Sequence, residues 1–83
     1  MYALLILPRA EREISKIHWT DFEKLKAAIA ALAEDPRPVN CRKLKGREAW
    51  RIRVGSYRVL YEIDDTTRVV TVVGIGHRRD VYR

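Results

Sequence analysis

Three arginines within eight residues of each other carry the most specific chemical signal in this sequence. Residues 50–63 read WRIRVGSYRVLYEI, two alternating runs of polar and apolar residues around Gly55-Ser56. Glycine at the first central position of a two-residue turn suits type II′, whose twist matches that of the flanking strands. Such a turn fixes the register. Val54 then lies opposite Tyr57, Arg53 opposite Arg58, Ile52 opposite Val59, Arg51 opposite Leu60 and Trp50 opposite Tyr61. Side chains alternate between the faces of a strand pair, so Trp50, Ile52, Val54, Tyr57, Val59 and Tyr61 share one face and Arg51, Arg53 and Arg58 the other. Like charges directly opposite are destabilising, on the scale of the roughly 0.2–1 kcal/mol that opposite charges contribute. Arg53 across from Arg58 is therefore a poor arrangement for stability and a good one for an anion held between them. A guanidinium fork binds two phosphate oxygens at once.

The wider charge distribution points the same way. The chain has 83 residues, 47% of them apolar, and a net charge of +6, which fits one small domain spanning residues 1–83. Residues 1–36 sum to −1, residues 37–58 to +7 and residues 59–83 to zero. A basic excess confined to one segment is the footprint of a nucleic-acid or other polyanion partner. Cys41 is the only cysteine, so no internal disulfide forms and a reducing compartment fits. With two widely separated histidines, His18 and His77, there is no metal-ligand spacing, and no metal or cofactor is expected. The apolar run at residues 3–7 is too short to span a membrane and lacks the basic start of a signal peptide, so a cytoplasmic protein is expected.

The elements that must position the arginines follow from periodicity. Residues 2–7 read as a buried strand, and Pro8 suits the first turn of a helix. Ala10, Ile14 and Ile17 recur at helical spacing over residues 9–17. Thr20-Asp21-Phe22-Glu23 has a capping-box pattern that starts a second helix, whose inward face is Phe22, Leu25, Ile29 and Leu32; Asp35-Pro36 ends it. Residues 37–48, RPVNCRKLKGRE, read as a basic loop with Leu44 as an anchor into the core. The hairpin follows, then a strand over residues 68–75 that is almost wholly β-branched. The expected fold is α+β, in the order strand-helix-helix-strand-strand-strand. A helical hairpin packs on one face of a small, mostly antiparallel sheet.

The helical pair, Lys43-Leu44-Lys45-Gly46, the hairpin, and Gly76-His77-Arg78-Arg79-Asp80-Val81-Tyr82 together resemble the RelE branch of the RelE/ParE toxin family, in the same order and over essentially the whole chain. The resemblance implies the toxin of a type II toxin–antitoxin pair, cutting messenger RNA on the ribosome without a metal and so inhibiting translation. It also implies a cognate, RelB-like antitoxin that covers the basic face in a hetero-oligomer. In such enzymes the 2′-hydroxyl attacks the adjacent phosphorus, giving a cyclic phosphate and a free 5′-hydroxyl. The step needs a group to take the 2′ proton, cations for the developing charge and an acid for the leaving oxygen. The family carries these roles at the positions of Arg51, Arg53, Arg58, Arg78 and Tyr82. Arg42, Lys43, Lys45, Arg47 and Arg79 are expected to contact RNA or the ribosome electrostatically.

One departure from the family pattern changes the chemistry. Relatives have lysines at the positions of Arg51 and Arg53, one of them taken as the general base. Arginine keeps its proton, with a pKa above about 12, and cannot fill that role. Histidine titrates near 6.5 when unperturbed, so the expectation moves to His77, beside Arg78. The alternatives are a ParE-like inhibitor of DNA gyrase and a non-catalytic module that binds nucleic acid or only its antitoxin, because fold alone does not separate these functions. The sequence stops at Tyr82-Arg83, so a C-terminal helix that an antitoxin would displace is expected to be absent or very short.

Overall fold

The computed structural model describes residues 1–77. In chain order its elements are β1 (Ala3–Ile6), α1 (Pro8–Ser15), α2 (Trp19–Ala31), β2 (Arg42–Lys43), β3 (Trp50–Val54), β4 (Tyr57–Asp64) and β5 (Val69–His77). The strands form a single sheet in the order β1-β5-β4-β3-β2. Strands β2 to β5 are a run of antiparallel neighbours, and β1 pairs in parallel with β5. Ala10 of α1 and Leu25 and Ile29 of α2 share one core with Ile52, Val59, Tyr61, Val70, Val72 and Ile75. Both helices therefore cover the same face of the sheet, the α+β arrangement expected. Burying each of the larger aliphatic chains in this core is worth about 1.5–3 kcal/mol.

The hairpin has the register read from its turn, with all five pairs from Trp50–Tyr61 to Val54–Tyr57 in place. Gly55 sits at φ 61° while Ser56 is not left-handed, the pattern of a type II′ turn. Further along β4 the pairing with β5 slips: Leu60 faces Gly74 and Tyr61 faces Val72. Val73 is the extra residue of a bulge. Because of that slip Val70, Val72 and then Ile75 all reach the core, although they are not evenly spaced. The Ile75 N–H donates to Glu13 Oε1 on α1 at 2.9 Å.

Three local expectations are corrected. The second helix begins at Trp19, and its cap is His18 rather than Thr20: His18 Nδ1 accepts the Thr20 N–H at 3.3 Å and lies 2.9 Å from Thr20 Oγ1. Residues 37–48 are not all loop, since Arg42 and Lys43 pair with Arg51 and Trp50 to add the edge strand β2. Leu44 is half-buried and stands outside the core cluster; the fully buried residue is Ala49, just after this segment, whose carbonyl accepts the Leu44 N–H at 2.8 Å.

Candidate nucleic-acid interface

The face of the sheet turned away from the helices carries the arginines in two rows. Arg53 lies opposite Arg58, and beyond Arg58 comes Gly76, which places no side chain in the way. One step along, Arg42, Arg51 and Leu60 form the next row across β2, β3 and β4. The following outward position on β4 is Glu62, in line with Thr71 and Leu5. The face thus changes sign along the strands, from a cationic end at the hairpin turn to an anionic end near the β4–β5 turn. Arg53 is exposed and Arg58 half-buried, whereas Arg51 retains only 9% of its surface. The side chain opposite it, Leu60, is buried to 5%.

A clasp on the far side of β3 holds the segment that delivers Arg42. Arg37 reaches the Asp65 carboxylate through two nitrogens, at 3.3 and 2.9 Å, and its guanidinium lies 5.1 Å from the centre of the Trp50 ring. Tyr2 donates its hydroxyl to the same carboxylate at 2.6 Å. Beneath it, Tyr61 is fully buried and donates its hydroxyl to the Pro36 carbonyl at 2.7 Å. These contacts shift titrations in the directions expected. The bond from Arg37, and then that from Tyr2, holds the Asp65 carboxyl below its usual value. The bond to Asp65 raises Tyr2 and Arg37, and burial pushes the Tyr61 phenol far up. Arg37 thus belongs to the scaffold rather than to the open basic face.

Downstream of the clasp the chain from Val39 to Arg42 overhangs β3. Together with Cys41, Arg51 and Arg53, these residues line an open concavity of about 750 Å³. Lys43 is tied to Glu48 at 3.2 Å. Lys45 and Arg47 stand exposed on the turn after β2, where Gly46 takes φ 74°. The expected RNA or ribosome contacts at Arg42, Lys43, Lys45 and Arg47 therefore sit together at the β2 edge of the arginine face.

The expected neighbourhood of His77 with the arginines is not what the register gives. His77 pairs with Tyr57, and the two rings meet edge to face with centroids 6.0 Å apart. Tyr57 packs against the core, on the helix side, so His77 extends from the side opposite Arg53 and Arg58. The other three expected site residues, Arg78, Arg79 and Tyr82, lie outside the described residues. Asn40, at the rim of the concavity, was not singled out from the sequence, and no periodicity or motif marks it. A second concavity, apolar and about 430 Å³, separates α1 from α2; Leu4, Ile14, Phe22, Leu25 and Ile29 line much of it.

A small mixed sheet with helices on one face and arginines on the other defines an α+β domain with a basic face. Comparison with known proteins narrows this. The family model for the ParE toxin of type II toxin–antitoxin systems matches residues 4–82, and the chain belongs to this RelE/ParE toxin family. The mRNA interferase toxin RelE of Escherichia coli is 34% identical over 79 residues, which cover 89% of this chain and 82% of that protein. A chain of the intact E. coli RelBE toxin–antitoxin complex superposes with a TM-score of 0.81 at 33% identity, over 93% of this chain and 96% of that one. The RelE of the archaeal RelE–RelB complex from Pyrococcus horikoshii shares the fold at a TM-score of 0.85 and 20% identity, over 96% and 98% of the two chains.

Proposed function

We propose that this chain is the toxin of a type II toxin–antitoxin pair and that it inhibits translation by cutting ribosome-bound messenger RNA. The observation that carries the reading is the placement of Arg51, Arg53 and Arg58 on one face of the β3–β4 pair, in a chain 34% identical to an mRNA interferase over most of its length. The reaction is transesterification within the RNA. The 2′-oxygen loses its proton and bonds to phosphorus, the bond from phosphorus to the 5′-oxygen breaks, and that oxygen gains a proton. The arginines act on charge: Arg53 and Arg58 grip the phosphate and stabilise the phosphorane, with Arg51 beside them and Arg78 and Tyr82 assigned to the site by the family resemblance. Fixed donors aimed at developing charge each account for about 10²–10³ in rate.

A cognate antitoxin is the natural partner. Its acidic residues would neutralise the arginine face, and an apolar segment would fit the groove between α1 and α2 or the free edge of β1. The deciding experiment is primer extension on messages in a translating extract, with wild type and with Arg58→Ala. Cuts within codons that require ribosomes are expected from wild type, and at least about 100-fold fewer from Arg58→Ala folded to the same Tm. Equal cleavage by both would remove the clamp. Intact messages together with gyrase-trapped DNA breaks would favour the alternative reading, a ParE-like inhibitor of DNA gyrase.

A further inference from the structure

Glu13 stands where helical spacing calls for an apolar residue. Ala10, Glu13, Ile14 and Ile17 make up the stripe that α1 and the turn after it present to the sheet; Ala10 is buried in the core, and Ile14 and Ile17 pack against it. The Glu13 side chain retains 31% of its surface. A carboxylate drawn in this far loses hydration that hydrogen bonds must replace. Its Oε1 accepts the Ile75 N–H at 2.9 Å and lies 3.7 Å from the position that a Cβ would take on Gly74. Its Oε2 is 3.8 Å from Arg9 Nε. The carboxylate thus ties the helical layer to β5 just beyond the bulge at Val73.

The sheet shows why β5 needs a tie at that point. β1 accompanies β5 only as far as the pair Ile6–Val72; the Leu7 N–H reaches the Val72 carbonyl at 3.0 Å, and the chain then turns into α1 at Pro8. Past Val73, β5 has β4 on one side and no strand on the other. Ile75 lies between Gly74 and Gly76, so it alone of the three brings a side chain to pack. Glu13 Oε1 therefore fills the place of a carbonyl on the absent neighbouring strand. We infer that Glu13 is a positioning residue for the cleavage proposed above, holding the end of β5 against the part of β4 that carries Arg58. Gly76 is the register partner of Arg58, and Arg78 follows His77 directly in sequence. Glu13 belongs to the helical layer, across the sheet from Arg53 and Arg58, and acts on them through the backbone of β5. A misplacement of about 1 Å at a group that grips the reacting phosphate costs up to about 10²-fold in rate. This inference rests on the nuclease reading and adds to it a residue outside the arginine face.

The test sets reach against charge in the full chain. Glu13→Gln keeps an oxygen within reach of the Ile75 N–H and gives up the charge, whereas Glu13→Asp keeps the charge and is one methylene too short; Glu13→Ala loses both. Single-turnover cleavage of ribosome-bound message is measured at a temperature where each variant is folded. At saturating toxin, Glu13→Asp and Glu13→Ala are expected to be slower by at least about tenfold. Their half-saturating concentrations are expected to stay within about twofold of wild type, because the cations at the β2 edge are untouched. Glu13→Gln is expected to cleave within about threefold of wild type, since the neutral oxygen preserves the hydrogen bond. Should Glu13→Ala not fold, the contrast between Asp and Gln decides. Equal rates in Asp and Gln, or a loss confined to half-saturation, overturn the inference. Two readouts do not depend on activity. In Glu13→Asp the Ile75 and Gly76 amides are expected to exchange faster while those of Val70 and Val72 keep their protection, and the Arg58 Nε–Hε resonance is expected to shift. Unchanged exchange at Ile75 and Gly76, or an unmoved Arg58 resonance, also overturns it. Failure of the nuclease reading is distinct: wild type leaves the message intact, while exchange and the Arg58 resonance still report whether Glu13 positions that end of the sheet.

Discussion

Arg53 and Arg58 face each other across an antiparallel pair, and the chemistry available there is that of cations which do not titrate. Such a face positions a phosphate and absorbs charge; it does not exchange protons. His77 was the natural candidate for exchange, yet its ring meets Tyr57 on the helix side of the sheet, and a proton relay from there would have to cross the backbone. His77→Gln is therefore expected to cleave ribosome-bound message within about threefold of wild type, well short of the 10²–10⁴ that a general acid or base contributes. Its rate profile between pH 5 and 8 is expected to be unchanged. Loss of an ionisation from that profile would return His77 to the reaction.

At the scale of elements, the turn and the clasp keep the arginines in register. Gly55 is left-handed at φ 61°, and a Cβ there would meet nothing within 4 Å, so a substitution is felt through the backbone alone. Gly55→Ala is expected to cost about 1–2 kcal/mol, seen as a Tm lower by several degrees, while the variant cleaves normally below its transition. Tyr61 ties β4 to the segment that leads into Arg42. Tyr61→Phe leaves the Pro36 carbonyl without its 2.7 Å donor, at an expected cost of about 0.5–1.5 kcal/mol in denaturant unfolding. If the overhang of residues 39–42 depends on this tie, cleavage by Tyr61→Phe falls more than its stability loss at 25 °C explains. A variant as active as wild type would separate the clasp from the site.

For the molecule as a whole, charge links stability and partner binding. The Asp65 carboxyl is held below its usual value by Arg37 and Tyr2, and Asp64 by the Thr67 and Thr66 N–H groups and the Thr67 hydroxyl. In both cases the unfolded chain takes up protons first. The stability these groups contribute is complete above their unfolded values, near 3.9, and is lost as pH falls through the lower native ones. Thermal melts from pH 7 to pH 2.5 are expected to show a Tm that declines below about pH 4, with a shallower decline in Asp65→Asn; identical curves would deny the clasp any part in acid unfolding. Both groups are exposed at the surface, so raising the salt concentration reduces the effect.

The hairpin and its register were legible in the sequence, because a Gly-Ser turn leaves a two-residue connection one favourable geometry and the period of two then assigns every face. The order of elements was legible too, since helical and strand spacing change cleanly at Pro8, Pro36 and Gly55. Two things were not. One was the bulge at Val73: a run of β-branched residues satisfies any register, and only pairing against β4 shows where it slips. That slip, together with the length of β5, decides which way His77 points. The other was the difference among the three arginines, which are identical in type and alternate evenly along the chain. Burial of Arg51 between β2 and β4, and the overhang of Asn40, come from residues distant in sequence. Charge and alternation place cations on a face; only packing across the sheet determines how far each of them is exposed.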